Sequence, residues 1–112
     1  LTSDSLFAGD LFVYQEKAGY RFSIDSVLLA GLTRIRVKDR VIDLGTGCGV
    51  IPLVLSRREP RASCVAVEIQ PELTALARKN VDVNRLTNRI RLQQMDFREV
   101  RSHFPAESFD LV

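Results

Sequence analysis

The stretch VIDLGTGCGVIPL, residues 41–53, constrains the fold of this chain more than any other segment. An apolar run meets three glycines at alternate positions, Gly45, Gly47 and Gly49, and a further apolar segment follows. A strand that runs into a glycine loop, with the loop opening a helix, is the context in which such a loop approaches a nucleotide. Gly45 and Gly47 supply backbone angles that a side chain disfavours, and Gly49 is expected to let the following helix sit close to the strand. Amide N–H groups at the start of that helix are expected to face the ligand. A loop that makes only a tight turn is the alternative, and glycine spacing alone does not separate the two.

The pattern around the loop is that of an α/β chain. From Asp39 onward the short strands RVIDLG, SCVAVEI, RIRLQQ and FDLV alternate with helical segments at intervals of about 20 to 25 residues, the spacing of βαβ units and hence of a parallel sheet. The first two strands are continuously apolar at their centres, as burial on both faces requires. VIPLVLSRRE forms the helix after the glycines. PELTALARKNVDVNRL forms the next, with Pro71 in its first turn and Leu73, Leu76, Ala77 and Val81 on one side, and FREVRSHF forms a weaker third. Upstream, LFVYQ (residues 11–15) and YRF (20–22) read as a β-hairpin turning at Gly19. SIDSVLLAGL then reads as a helix capped by Ser23, with Asp25 in its first turn and Val27, Leu28 and Leu32 as its apolar stripe.

The 112 residues suffice for one small domain, and 46% hydrophobic with 27% charged residues excludes the disordered and collagen-like classes. No apolar run approaches the roughly 20 residues of a spanning helix, and LTSDSLFAGD has neither the basic start nor the apolar core of a signal peptide. A cytoplasmic location without a membrane partner is expected. Cys48 and Cys64 have no metal-ligand spacing, so no metal is predicted and both are expected to be small reduced residues. A net charge of +2 does not argue for nucleic acid, although 13 of the 16 basic residues are arginine, the side chain suited to phosphate and base stacking. His103, in a polar helical stretch, is expected on the surface.

Two acids give the loop its context. Glu68 ends the second strand about 20 residues past the glycines, where a carboxylate accepts both hydroxyl hydrogens of a ribose, which points to a nucleoside-containing cofactor. Asp96 ends the third strand and is placed to accept from an adenine amine, with Met95 and Phe97 offering apolar surface to the ring. A solvent-facing acid at Glu68 and a turn or cap role at Asp96 are the alternatives. A dinucleotide fingerprint requires glycine or alanine at position 50, where this chain has Val50, and Asp43 stands two residues before the first glycine.

Taken in order, DLGTGCG, VAVEI, QMDF and FDLV resemble the first four motifs of class I S-adenosylmethionine-dependent methyltransferases, whose fold is a Rossmann-like parallel sheet with flanking helices. The resemblance implies S-adenosylmethionine as cofactor and assigns its binding to Asp43, Gly45, Thr46, Gly47, Gly49, Glu68, Ile69, Asp96 and Phe97. The glycine loop would pass the amino acid part, Glu68 would hold the ribose, and Asp96 would lie near the adenine. The segment DLFVYQEKAGYRFSIDSVLLA is similar to the one before the glycine motif in bacterial tRNA adenine methyltransferases that act next to the anticodon of a valine tRNA, and more loosely to the methyltransferase small domain group. By that similarity YRFSID lies over the methionine end of the cofactor, which makes Tyr20, Arg21, Phe22, Ser23 and Asp25 candidate pocket residues. A core role for Phe22 and a first-turn role for Asp25 stay open. Residues 1–38 are thus expected to pack as hairpin and helix over the cofactor site, and residues 39–112 to form the first part of the cofactor-binding domain, the two making one structural unit.

The family continues from its fourth strand into an Asn-Pro-Pro-aromatic type of loop, whose side-chain and backbone oxygens orient the target amine. The sequence reaches Val112 before that loop, so the resemblance implies an N-terminal portion, itself inactive, with no catalytic residue among these 112. It implies methylation of an exocyclic adenine amine, with tRNA as partner. An rRNA guanine, a protein glutamine or a small molecule stays open as acceptor, and so do a cofactor-binding module without activity and an NAD-binding domain. A chain that stops at Val112 leaves its fourth strand as a raw edge, which predicts self-association through Phe109, Leu111 and Val112.

Overall fold

The structure, a computed structural model, describes residues 2–6, 9, 11–15, 24–105 and 108–112. Strands β1 (Thr2–Leu6) and β2 (Leu11–Gln15) pair antiparallel, with Thr2 opposite Gln15 and Leu6 opposite Leu11. Leu11, Val13 and Gln15 are buried while the residues between them are not, the period-two pattern of a strand with one face on a core. The hairpin therefore uses a strand that was not expected. TSDSL is polar at four of five positions and gives no apolar run to read. The predicted return strand at residues 20–22 lies outside the described residues, as do Tyr20, Arg21, Phe22 and Ser23.

Helix α1 (Ile24–Leu32) packs on α2 (Val50–Arg58). Its predicted stripe is not its buried face: Ala30 is fully buried and Val27 partly so, whereas Leu28 and Leu32 are 52% and 81% exposed. The contact turns on the small Ala30, since the side chains at a crossing set how closely two helices approach. Arg58 reaches across from α2, its Nη1 donating to the carbonyls of Ala30 and Thr33 at 2.6 and 2.7 Å. It thereby supplies α1 with the cation and donor that its own last turn lacks.

Strands β3 (Arg40–Leu44), β4 (Ser63–Glu68) and β5 (Ile90–Gln94) form a parallel sheet in that order, with Val41 beside Cys64 and Cys64 beside Ile90. The crossovers are α2 and α3 (Pro71–Val83); a 3-10 turn at Phe97–Glu99 and the short α4 (Val100–His103) follow β5. Alternation along the strands divides the core. Val41, Cys64, Ala66 and Ile90 face α2, α3 and β2, while Ile42 and Val67 face Met95, Val100, Phe104 and Phe109. The stripe predicted on α3 is buried at all four positions, Leu73, Leu76, Ala77 and Val81. That helix ends at Val83, three residues earlier than predicted, because Arg85 takes a left-handed φ of 59° and its N–H turns back to the Asp82 carbonyl.

The predicted fourth strand is reduced to one parallel bridge, Leu111 against Val41, with the Ile42 N–H donating to the Leu111 carbonyl at 3.0 Å. It lies on the side of β3 away from β4. Beside the bridge, the Asp110 carboxylate accepts the Arg40 backbone N–H at 2.8 Å and pairs with the Arg40 guanidinium. Among the described residues no helix is long and apolar enough to cross a membrane. Cys48 and Cys64 are buried free thiols, and burial pushes Cys64 up to about 12.

Candidate cofactor site

The site forms at the carboxyl ends of β3, β4 and β5, where a parallel α/β sheet opens its crevice. A cavity of about 330 Å³ lies there, walled by Gly45, Glu68, Ile69, Asp96 and Phe97, five of the residues expected to hold a cofactor, together with Val67, Met95 and Arg98. Thr46, Gly47 and Gly49 are buried beside it, inside the loop. Asp43 is half-buried and lines a second, smaller cavity of about 110 Å³, with Leu29 and Thr33 on one side and Ile51, Leu111 and Val112 among its other walls. Asp25 is exposed on the first turn of α1 and lines neither cavity.

The glycine loop is built from the inside. Gly45, Gly47 and Gly49 have φ of 75°, 59° and 88°, the left-handed region that favours glycine. The Gly45 and Thr46 amides donate to the Val67 carbonyl at 2.8 and 2.9 Å, and the Gly49 amide to Thr46. The Gly47 amide donates to Glu68 Oε1 at 2.8 Å. These four loop N–H groups serve the protein itself; Gly49, the N-cap of α2, is the one among them at the helix start, where amides were expected to face a ligand. The reason is the register of β4 beside β3, which carries Val67 and Glu68 under the turn. The close approach of Gly49 is likewise to α3 and not to a strand: a Cβ there would stand 3.5 Å from the Ala77 Cβ.

Glu68 is buried at the end of β4 and accepts from two backbone amides, Gly47 on Oε1 and Gln70 on Oε2 at 3.1 Å. A carboxylate offers about four acceptor positions, so two remain. Asp96 has fewer to spare. Its Oδ1 caps the 3-10 turn by accepting the Arg98 N–H at 2.9 Å, and both oxygens meet the Arg98 guanidinium, which holds the Asp96 carboxyl down at about 2. Burial pushes the Asp43 carboxyl up, the neighbouring Thr46 hydroxyl partly offsets this, and the charge of Glu68 adds to the rise. Asp43 Oδ2 and Thr46 Oγ1 are buried and find no hydrogen-bond partner among the described residues. Buried polar atoms ordinarily have one.

Asn80 is a buried polar position beside the loop that sequence patterns passed over. It is fully buried in α3 and its Nδ2 donates to the Cys48 carbonyl, in the glycine loop, at 2.8 Å. The signal was present, since Asn80 falls seven residues after Leu73 on the apolar side of α3, where a polar residue needs internal partners.

Comparison with known proteins agrees with this architecture. The profile of the methyltransferase domain family matches residues 41–112. Curated relatives include a tRNA1(Val) (adenine(37)-N6)-methyltransferase of Bacteroides thetaiotaomicron, 31% identical over 101 residues (89% of this chain, 41% of the relative). One of the same name from a Flavobacteriaceae bacterium is 28% identical over 100 residues (89% and 42%). The chain thus spans about two fifths of their length. Among solved structures, P. horikoshii TYW2 in complex with MeSAdo superposes with a TM-score of 0.71 over 93% of this chain and 38% of that one; at 23% identity this speaks to the fold.

Proposed function

The chain belongs to the methyltransferase domain family, and on that premise we propose that it is the cofactor-binding part of a cytoplasmic enzyme that methylates an exocyclic adenine amine of tRNA. The cofactor is S-adenosylmethionine, which supplies an electrophilic methyl group carried on a sulfonium. The residues present fit it. Two neighbouring carboxylates, Asp43 and Glu68, and two orphaned buried oxygens, Asp43 Oδ2 and Thr46 Oγ1, suit a molecule that brings cations and hydroxyl donors.

The observation that carries the proposal is Glu68. Its two amide bonds fix the carboxylate at the cavity wall, and its two remaining acceptor positions match the two hydroxyls of a ribose. Ile69, Met95 and Phe97 provide apolar walls for the adenine. Asp96, held anionic by Arg98 throughout the physiological range, would accept the adenine amine in exchange for part of its contact with Arg98, whose side chain is 79% exposed. Asp43 and Thr46 would hold the amino acid end. The curated relatives are more than twice as long, and the acceptor amine would be oriented by residues outside the stretch they share with this chain. Leu111 and Val112 line the Asp43 cavity.

The choice of tRNA is supported by the curated relatives named as tRNA1(Val) adenine methyltransferases. The full-length protein, given S-adenosylmethionine with a radiolabelled methyl group and unmodified bulk tRNA, should transfer label to tRNA and yield N6-methyladenosine on digestion. Label entering protein or a small molecule, with none in tRNA, would refute the acceptor and leave the methyltransferase class standing.

A further inference from the structure

We propose that Asn80 is a positioning residue for the cofactor loop: through one side-chain amide it fixes the loop peptide at Cys48 to the edge of the N-terminal hairpin, so that hairpin docking and cofactor affinity are coupled. The proposal depends on the family's cofactor and not on the identity of the methyl acceptor.

Asn80 is fully buried, and every polar hydrogen of its side chain is used. Oδ1 accepts the Tyr14 N–H at 2.6 Å, and Nδ2 donates to the Tyr14 carbonyl at 2.9 Å and to the Cys48 carbonyl at 2.8 Å. One turn later Asn84 repeats the device on the same strand. Its Oδ1 accepts the Phe12 N–H at 2.9 Å, and its Nδ2 donates to the Phe12 carbonyl at 2.6 Å and to the Asn80 carbonyl at 2.7 Å. Phe12 and Tyr14 are alternate residues of β2, so their backbone groups point to one edge, away from β1. Each asparagine presents to that edge the donor and acceptor that a neighbouring strand would present. The two clamps differ in one bond. The spare hydrogen of Asn84 returns to its own helix, whereas that of Asn80 goes to the glycine loop.

That bond matters because glycine permits the left-handed backbone without selecting it. Cys48 stands between Gly47 and Gly49, both at positive φ, and its carbonyl belongs to the Cys48–Gly49 peptide, whose orientation turns on the Cys48 ψ and the permissive Gly49 φ. In the observed orientation the Gly49 N–H of the same peptide meets the Thr46 carbonyl, and the preceding Gly47 N–H meets Glu68. A buried carbonyl requires a partner, and Asn80 supplies it in this orientation only. Glu68, the residue assigned to the ribose, is therefore oriented in part by an amide on the far side of the loop. Because the same side chain holds Tyr14, a ligand that fixes the loop must also tighten the hairpin, and the coupling runs both ways.

The test compares Asn80→Ala with Asn84→Ala in the full-length protein. Calorimetry with S-adenosylhomocysteine gives Kd, thermal unfolding gives Tm, and hydrogen exchange follows the amides of Tyr14, Gly47 and Gly49. Asn80→Ala should weaken binding at least tenfold and speed exchange at Gly47 and Gly49, while Asn84→Ala lowers Tm and leaves Kd within about twofold. Equal Kd for parent and Asn80→Ala, or losses of affinity in both variants that track Tm, would overturn the proposal. A measurement on the unmutated protein covers the case in which Asn80→Ala does not fold: S-adenosylhomocysteine should slow exchange of the Tyr14 amide at least threefold, and unchanged exchange there contradicts the coupling.

Discussion

Replacing Glu68 by Gln removes one charge while keeping volume, and the structure sets the consequence. The carboxylate accepts from Gly47 and Gln70 on different oxygens, and each oxygen keeps one further position toward the cavity. In Glu68→Gln one oxygen becomes an NH2 group, which confronts one of the two backbone N–H donors and also withdraws one acceptor from the ribose. A hydrogen bond to a charged group contributes about 1.5–3 kcal/mol, so binding should weaken by about 10- to 150-fold at about 1.4 kcal/mol per decade. Folding loses a bond of the same type but sheds the cost of holding a buried charge, so Tm falls by only a few degrees. Calorimetry with S-adenosylhomocysteine on the full-length protein, paired with thermal unfolding, separates the two effects. A Kd within twofold of the parent in a folded variant would show that the carboxylate does not touch the ribose.

Three further outcomes follow from the same geometry. Asp43→Asn should raise the Tm of the cofactor-free protein at neutral pH and weaken cofactor binding by about tenfold or more through loss of a charged partner. Burial places the folded Asp43 pKa above its unfolded value, so the ionised group costs stability as pH rises through that range; the gain in Tm should vanish in acid below the ordinary carboxylate range, and a gain that persists there would refute this origin. Asp96 carries the opposite sign. Arg98 holds it at about 2, so its contribution is present above the ordinary range and is lost as pH falls through about 2; NMR titration of its carboxyl carbon should inflect there and move up in Arg98→Ala, stopping short of the ordinary range because the backbone N–H of residue 98 still donates to it. Finally, Gly47→Val forces a branched side chain to φ 59° and should cost about 1–3 kcal/mol together with the Gly47–Glu68 bond, read as a lower denaturant midpoint and weaker cofactor binding; an unchanged midpoint and Kd would refute it.

Much of this was legible in the sequence where burial on both sides leaves a continuous signal. Strands β3 and β4, the loop between β3 and α2, and the stripe of α3 follow from apolar runs and helical spacing, and the cavity gathers Gly45, Glu68, Ile69, Asp96 and Phe97 as their positions at strand ends imply. What stayed hidden depends on partners far along the chain. The buried side of α1 is set by α2 and Arg58, so of the expected stripe only Val27 packs against the core, while Leu28 and Leu32 of this almost wholly apolar helix face outward. Strand β1 was unreadable because a polar edge strand needs only its neighbour. Glu68 was placed at the ribose by position, but its two amide bonds appear only when β4 lies under the loop. Asp96 likewise gains Arg98, and the cap role weighed against a binding role is a contact that it does make. Asn80 looked like one polar residue in a helix until β2 and the loop closed on it.

The most direct test of the account is a crystal structure of the full-length protein with S-adenosylhomocysteine. The account predicts both ribose hydroxyls within hydrogen-bond distance of the Glu68 carboxylate while the Gly47 amide still donates to it, with the adenine between Ile69 and Phe97. A ribose bound to other acceptors, with Glu68 holding only Gly47 and Gln70, would contradict it.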